Sequence, residues 1–214
     1  MGHLVMSTGD MRNAMRLLTA VERTPEQERR LGRIREECAR EDGRLRSQGV
    51  ELDVSVAAAL EELLDGEVSG QVGPQWTYAL HELIAAHFSD THDLGYWARQ
   101  SWFATVDEAF SAAGVPSHLG ISEIVMSGPP VRLPHPGDST PWMGTFPTAD
   151  AAAFVAAHEA VLDVVEPEVR ETAEYFIKAM RFEAEEWEAA EAAEAAEGGE
   201  GGDRVHDTLF FWCS

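Results

Sequence analysis

The sequence predicts a helix-dominated α+β fold of a single domain, residues 1–214, with a small and mostly antiparallel sheet. Apolar residues recur every three or four positions over 169–187, which is the pattern of a helix that buries one face. The stretch 76–110 holds eight of the eighteen aromatic residues and predicts two amphipathic helices, around which the other elements pack. Residues 209–213 are apolar on both faces of a strand, so we expect them to lie covered inside the sheet.

The elements in the first third of the chain are indicated by their start signals. Residues 3–8 alternate loosely in polarity and predict a short strand, after which Asp10 caps a helix. The Thr-Pro-Glu-Gln sequence at 24–27 has a capping threonine, a proline at the first helical position and a glutamine three residues after the cap. It predicts the start of a long arginine-rich helix, 24–47. A short helix follows over 54–64.

Arginines line up along one side of the 24–47 helix and could form a ridge that binds phosphate or acids. Glu36 and Glu37 lie among them at the three- and four-residue spacing of helical ion pairs. A ridge neutralised by its own helix binds polyanions poorly, so we interpret it as a solvated face. The arginines are Arg29, Arg33, Arg40 and Arg44.

The two aromatic helices are expected to pack together as an interior hub that includes Trp76, Trp102 and Trp212. The first helix starts at Trp76, the second begins near Ala98, and a loop over 87–97 joins them. This loop carries histidine and aspartate side chains, so it is a candidate for part of a functional site.

Residues 127–147 contain six of the ten prolines, which excludes a helix there. The segments 131–133 and 143–146 are strand candidates, and edge positions suit a chain so rich in proline. A proline-rich stretch of this length inside a domain is typical of a functional loop.

Helical signals return after this loop. Thr148 can cap a helix that continues to about residue 165, and Pro167 starts the long C-terminal helix. That helix continues into a Glu-Ala-Ala repeat that has little to bury. We therefore interpret 188–203 as a protruding segment, with the glycine-rich 198–202 as a flexible joint.

The formal net charge of −22 argues against nucleic-acid binding, because phosphate contacts need clustered cations. The charge is uneven: residues 1–50 have ten arginines and eight acids, whereas 51–214 have six basic residues and thirty acids. Fifteen of the sixteen basic residues are arginine, which suggests a GC-rich bacterial coding sequence. This composition favours an acidic bacterial protein.

The apolar runs and the cysteines indicate where in the cell the protein is expected. No stretch of eighteen apolar residues is present, so we expect no membrane span. The start of the chain has no secretory signal pattern. Cys38 and Cys213 have neither metal nor redox spacing, and two such thiols suit a reducing cytoplasm.

A pocket for a small acidic ligand is one interpretation of the polar and aromatic residues near the two proposed loops, with Arg132 as the anion clamp. The alternative for His87 and His158 is that each lies in the core and bonds to a carbonyl group. The residues of this candidate pocket are His87, His92, Asp93, Trp97, Arg132, His135, Trp142 and His158.

The sequence predicts no catalytic residues, no metal site and no cofactor. His81 and His87 are six residues apart on a helix and point about 120° away from each other, so they cannot bind one ion together. His87 could still pair with His92 or Asp93, but no dense ligand motif supports a metal. Neither a Gly-x-Ser-x-Gly elbow nor a phosphate-binding glycine loop is present.

Several short patterns occur together, in order, over most of the chain. They are the opening MGHLVMSTGD, ALEELLDG at 59–66, Trp76 with Ala-Leu-His at 79–81, Met-Gly-Thr-Phe at 143–146, Tyr175-Phe176 and the apolar terminal strand. In these the chain resembles the YfbM-like family of bacterial domains of unknown function and related actinobacterial domains. The resemblance implies a compact α+β domain with a small sheet, and it implies no reaction and no catalytic residue. The arginine-rich helix over 24–47 and the Glu-Ala-Ala extension depart from the family's pattern, so we interpret the helix as an insertion. It also hints at bacterial conflict or immunity-type gene neighbourhoods.

The sequence favours a non-enzymatic bacterial protein-binding module, of immunity type, that uses its acidic surface on a basic protein partner. The competing hypothesis is a small-molecule-binding or hydrolytic domain with a pocket between the 87–97 and 129–142 loops.

Overall fold

The computed structural model describes residues 2–70, 72–97, 101–137, 141–197 and 206–214. The chain divides into two compact units. The α+β class is confirmed: helices dominate, and the small antiparallel sheet includes the C-terminal strand. The first unit comprises Met1–Gly9, Asp90–Gly128 and Met143–Ser214, and the second comprises Asp10–Ser89 and Pro129–Trp142.

The sheet has four strands: β1 (Gly2–Gly9), β2 (Phe88–Trp97), β3 (Trp142–Pro147) and β4 (Thr208–Cys213). Their spatial order is β2-β1-β4-β3, so the C-terminal strand is an inner strand, as predicted. It pairs antiparallel with β1, with Leu4 opposite Cys213 and Thr8 opposite Leu209. Five of the six residues of β4 are buried, because both of its edges are paired and both of its faces are covered.

The second unit is built from the first four helices of the chain. Its longest helix starts with the predicted capping box: the Thr24 hydroxyl accepts from the Gln27 amide, and the Gln27 side chain accepts from the Thr24 amide. The fourth helix packs on the second and third, and its Trp76 is 1% exposed. The four helices are α1 (Met11–Thr19), α2 (Pro25–Ser47), α3 (Val56–Asp65) and α4 (Gln75–Ala85).

The predicted solvated arginine face of α2 is supported by ion pairs within the helix. Arg40 lies 2.9 Å from the Glu37 carboxylate, and Arg44 pairs with Glu41. The Arg40–Glu37 pair is exposed on both sides, so it orients side chains but contributes only about 0–1 kcal/mol.

The helices of the first unit surround phenylalanine side chains, of which Phe103, Phe110, Phe154 and Phe176 are at most 1% exposed. The long C-terminal helix packs against the helix before it and against the first helix of this unit. These helices are α5 (Ser101–Ala113), α6 (Ile121–Val125), α7 (Ala151–Glu159) and α8 (Pro167–Glu197), with 3-10 turns at Ser117–Leu119, Thr148–Asp150 and Leu162–Val164.

Three local predictions are wrong. The expected loop over 87–97 is strand β2, because the sheet holds this segment extended beside β1. The expected strand over 131–133 is irregular, since prolines flank it on both sides and cannot donate ladder hydrogen bonds. The expected helix from Thr148 to 165 is interrupted: a 3-10 turn precedes α7, and another turn follows it.

The prediction of one hub that joins both aromatic helices is also wrong. Trp76 lies in the second unit, whereas Trp102 and Trp212 lie in the first. The reason is that β2 separates the two helices along the chain and joins the sheet, so α4 packs with α2 and α3 while α5 packs with α6 and α8.

The expected protruding segment over 188–203 is described in its first part, where Glu188 and Glu191 are exposed on a helix that continues to Glu197. Residues 198–203 and Ala98 lie outside the described residues. Among the helices that the structure does describe, none combines the length and apolar character required for a membrane span.

Candidate functional site

The eight residues of the predicted pocket are distributed over both units. His87, Arg132, His135 and Trp142 belong to the second unit, and His92, Asp93, Trp97 and His158 belong to the first. Their convergence on one pocket stays a prediction.

His87 and His158 have the environment expected of core histidines. In each, the Nδ1 atom lies 2.9 Å from the carbonyl oxygen four residues earlier, of Leu83 and Phe154 respectively. Burial lowers the pKa of both imidazoles. His158 is fully buried and stacks on Phe154, with 4.0 Å between the ring centroids. These contacts fit the interpretation of both as core histidines, although the Nε2 atom of His158 is buried and has no hydrogen-bond partner among the described residues.

The other predicted residues of the second unit lie on the proline-rich segment. Arg132 and His135 are exposed. The carbonyl oxygen of His135 accepts from the Gly73 amide at 2.8 Å, which ties this segment to the chain before α4. Trp142 is half-buried at the start of β3.

Asp93 and Trp97 are held by contacts within β2 and, for Asp93, with His3 on β1. The Asp93 carboxylate accepts from the Gly95 amide at 2.8 Å and lies 2.9 Å from the His3 imidazole. These two hydrogen bonds lower the pKa of Asp93, the Gly95 amide more than His3. Trp97 donates from Nε1 to the carbonyl oxygen of Leu94 at 2.9 Å.

Trp97 also lines an open groove of about 360 Å³ between β2 and α8. Tyr96 and Tyr175 are the most exposed rings of this groove, and Trp102 donates from Nε1 to the Thr172 hydroxyl at 2.9 Å. The groove is aromatic and carries two carboxylates, those of Glu168 and Glu171.

A larger cavity of about 440 Å³ lies along the second half of α8, within the first unit. This volume is in the range of small-molecule sites. The walls combine acidic side chains, two large rings and two threonines. The described residues that line it are Thr8, Asp90, Thr148, Phe182, Glu183, Glu186, Trp187, Ala190, Glu194 and His206.

Glu183 is the most buried acid of this cavity, with 3% of its surface exposed. Its Oε1 atom lies 2.6 Å from Nε2 of His92, and the His92 ring meets Phe182 edge-on. A buried carboxylate is stable only with such a partner. The pair therefore fixes one wall of the cavity and joins β2 to α8.

Two threonine hydroxyls on the cavity walls are buried without a hydrogen-bond partner in the described part of the chain. Thr8 and Thr148 are each 2% exposed, and the Oγ1 atom of each has no partner. Their backbones are both held at the beginning of β4: Thr8 is opposite Leu209, and the Thr148 amide donates to the Asp207 carbonyl at 3.0 Å. Unpaired buried hydroxyls are uncommon in folded proteins, so each of these two needs a partner such as a water molecule or a ligand.

Sequence reasoning missed Glu183, although a signal was present. The spacing from Phe176 to Met180, Glu183 and Trp187 is four, three and four residues, so Glu183 lies on the apolar stripe of its helix. A carboxylate on a buried face is unfavourable without a partner, so its presence there indicates a specific contact. The two threonines carried no comparable signal, because isolated threonines are common in strands and turns.

Within the ranges that the structure describes, no three histidine, cysteine or carboxylate side chains are grouped as metal ligands require. A family model described as Domain of unknown function (DUF7691) matches residues 1–212. Comparisons with curated proteins and with solved structures found no match.

Proposed function

Because the chain belongs to DUF7691, a family of domains of unknown function, we propose a function from the molecule itself: a non-enzymatic binding protein that uses the acidic side of α8 on a basic protein partner. The bacterial cytoplasm, an immunity-type role and the YfbM-like resemblance belong to the same proposal. They rest on the composition and on the short sequence patterns given above.

The single observation that carries the proposal is the charge of the second half of α8. From Phe182 to Glu197 the sequence has seven glutamates and neither lysine nor arginine. Glu185, Glu186, Glu188 and Glu191 are exposed. A dense field of one sign speeds the association of an oppositely charged partner and orients it.

The location of this charge also supports a binding role. The acidic residues lie beside the α8 cavity, whose Phe182 ring is 47% exposed. Aromatic residues that remain accessible next to charge are typical of recognition surfaces. A basic partner would therefore meet both electrostatic attraction and apolar contact.

The test is binding of a fluorescent decalysine peptide, measured by anisotropy as a function of salt. A variant with Glu185, Glu186, Glu188 and Glu191 changed to lysine should weaken binding by about tenfold or more at low salt, and the loss should shrink as salt rises. A matched control changes four exposed glutamates elsewhere, which gives the same net charge, and should cost much less affinity. The control residues are Glu22, Glu36, Glu51 and Glu67.

Two results would contradict this function. If both variants lose the same affinity, binding depends on net charge alone and α8 has no special role. If the wild-type protein does not bind decalysine at low salt, the acidic side of α8 does not recognise cationic chains.

Small-molecule binding is the second candidate, and the cavity volume of about 440 Å³ favours it. Thermal-shift measurements with small organic cations and anions separate this candidate from the first. A small ligand that stabilises the protein, together with no binding of decalysine, would favour small-molecule binding.

A further inference from the structure

We propose that the α8 cavity binds a primary ammonium group on an alkyl stem, presented by a free amine or by a lysine side chain. The lysine form rests on the proposed function, whereas the free-amine form does not. The ligand class follows from three features of the walls: their charge, their unpaired hydroxyls and their rings.

The charge of the walls selects a cation. Asp90, Glu183, Glu186 and Glu194 line the cavity, and His206 is the one basic-type side chain among the described lining residues. Glu183 lies deepest of these acids and is already fixed by His92 at 2.6 Å. A carboxylate held in place at low exposure attracts a cation more strongly than a mobile surface acid does.

The unpaired hydroxyls select a cation that can donate hydrogen bonds. Thr8 and Thr148 each keep a buried Oγ1 atom without a partner in the described structure, and both line the cavity. The backbones of both residues are anchored at the start of β4, so the two threonines lie at the same end of the sheet. A primary ammonium has three N–H donors, which can serve the two hydroxyls and one carboxylate.

The rings select an alkyl stem. Phe182 is 47% exposed and Trp187 is half-buried, and both line the cavity beside the acids. Ring faces attract cations and also cover methylene groups. A quaternary ammonium would use the rings but has no N–H, so it would leave both threonine hydroxyls unpaired. This difference separates the proposed ligand from other organic cations.

The experiment is titration calorimetry with three probes: 1,5-diaminopentane, N-acetyl-lysine methylamide and the Nε-trimethylated form of the latter. We expect saturable binding of a primary amine and binding of the trimethylated probe that is weaker by about tenfold or more. Thr8→Val and Thr148→Val keep the shape of the side chain but remove the hydroxyl. Each should weaken amine binding severalfold, whereas Thr8→Ser and Thr148→Ser should keep it.

A stability readout separates ligand recognition from a structural role. Because the valine variants remove an unpaired buried hydroxyl, their melting temperatures should equal or exceed that of the wild type while affinity falls. A thermal melt also shows that each variant is folded. If valine and serine variants bind alike, or if the trimethylated probe binds as tightly as the primary amine, the inference is wrong.

The outcomes also distinguish this inference from the proposed function. Binding of 1,5-diaminopentane alone would identify a free amine as the source, and binding of the lysine derivative would identify a partner side chain. If decalysine binding depends on the α8 glutamates but no primary amine probe binds, the proposed function stands and the ammonium site is wrong. If amines bind and decalysine does not, the ammonium site stands without the protein partner.

Discussion

The Nε2 atom of His92 lies 2.6 Å from the Oε1 atom of Glu183, and this contact joins an outer strand of the sheet to the longest helix of the chain. The glutamate side chain is 4% exposed and the histidine side chain 23%, so the histidine is the partner with more access to water. Whatever enters the α8 cavity meets a carboxylate whose position is set before the ligand arrives.

His92→Ala should destabilise the protein by about 1–3 kcal/mol, because it leaves the Glu183 carboxylate buried without its partner. The measurement is the free energy of unfolding by urea, followed by circular dichroism. His118→Ala is the matched control, since His118 is exposed, and it should change stability by less than about 0.5 kcal/mol. Equal effects of the two substitutions would show that the pair contributes nothing.

Both cysteines should be unreactive in the folded protein. Burial raises the pKa of Cys38 to about 12 and that of Cys213 to about 11, so neither forms thiolate at pH 8. A thiol-specific chromogenic reagent should release no coloured product over minutes in native buffer. In guanidinium chloride it should react with both cysteines of the chain. Rapid reaction of one equivalent under native conditions would contradict the buried positions.

Gly144→Ala should destabilise the first unit by about 1–3 kcal/mol. A methyl group at this position in β3 would overlap the main chain at Ile124 and Val125, which cannot move as a side chain could. Gly43→Ala is the control in α2, where a methyl group meets nothing within 4 Å. It should stabilise the protein by about 0.5–1 kcal/mol through helix propensity. Thermal melts of the two variants should therefore shift in opposite directions.

Protonation of His158 should make the protein less stable in mild acid. Burial lowers the pKa of this imidazole in the folded state, so the unfolded chain binds the proton more readily. The stabilising contribution is present above the unfolded value of about 6.5 and is lost as the pH falls below it. His87 acts in the same direction.

The free energy of unfolding measured between pH 7 and pH 5 checks this expectation. His158→Gln should reduce the slope by up to about 1.4 kcal/mol per pH unit. His118→Gln, at an exposed histidine, should leave the slope unchanged. An unaltered slope in the His158 variant would mean that this histidine is not buried in its neutral form.

Elements whose signals are local could be predicted from the sequence. The capping box of α2 involves only Thr24 and Gln27, and the structure contains both of its hydrogen bonds. Strand β4 was predicted as an inner strand because apolar residues on both faces leave no side for water. In such cases the information lies within a few consecutive residues.

Features that depend on distant pairing could not be predicted. Strand β2 contains aspartate, histidine and glycine, which are poor strand formers, and it is extended because the sheet holds it there. Asp42 and Asp107 each accept two backbone amides at the start of a later helix, α3 and α6 respectively. A sequence pattern indicates that a helix needs a cap, but not that a residue about 14 positions earlier supplies it.

The candidate site also combines a residue with a local sequence signal and residues that only distant pairing brings together. Glu183 could have been noticed as a carboxylate on an apolar stripe, whereas Thr8 and Thr148 come together only through the start of β4. The predicted pocket relied on loops over 87–97 and 129–142, and the first of these is a strand. The polar residues of that strand therefore have different roles. Asp93 accepts a hydrogen bond from the neighbouring Gly95, whereas His92 contacts Glu183 on the cavity wall.

The pairing of β1 with β4 also bears on how quickly the protein reaches its native state. These two strands lie at opposite ends of the chain, and their ladder forms the middle of the sheet. Because these residues are so far apart in sequence, a very large loop must close before their contacts can stabilise the chain. The entropy lost in closing this loop slows folding. The helices of the second unit follow one another in sequence and meet no such delay. Refolding should therefore show helical circular dichroism well before the tryptophan fluorescence reaches its native value.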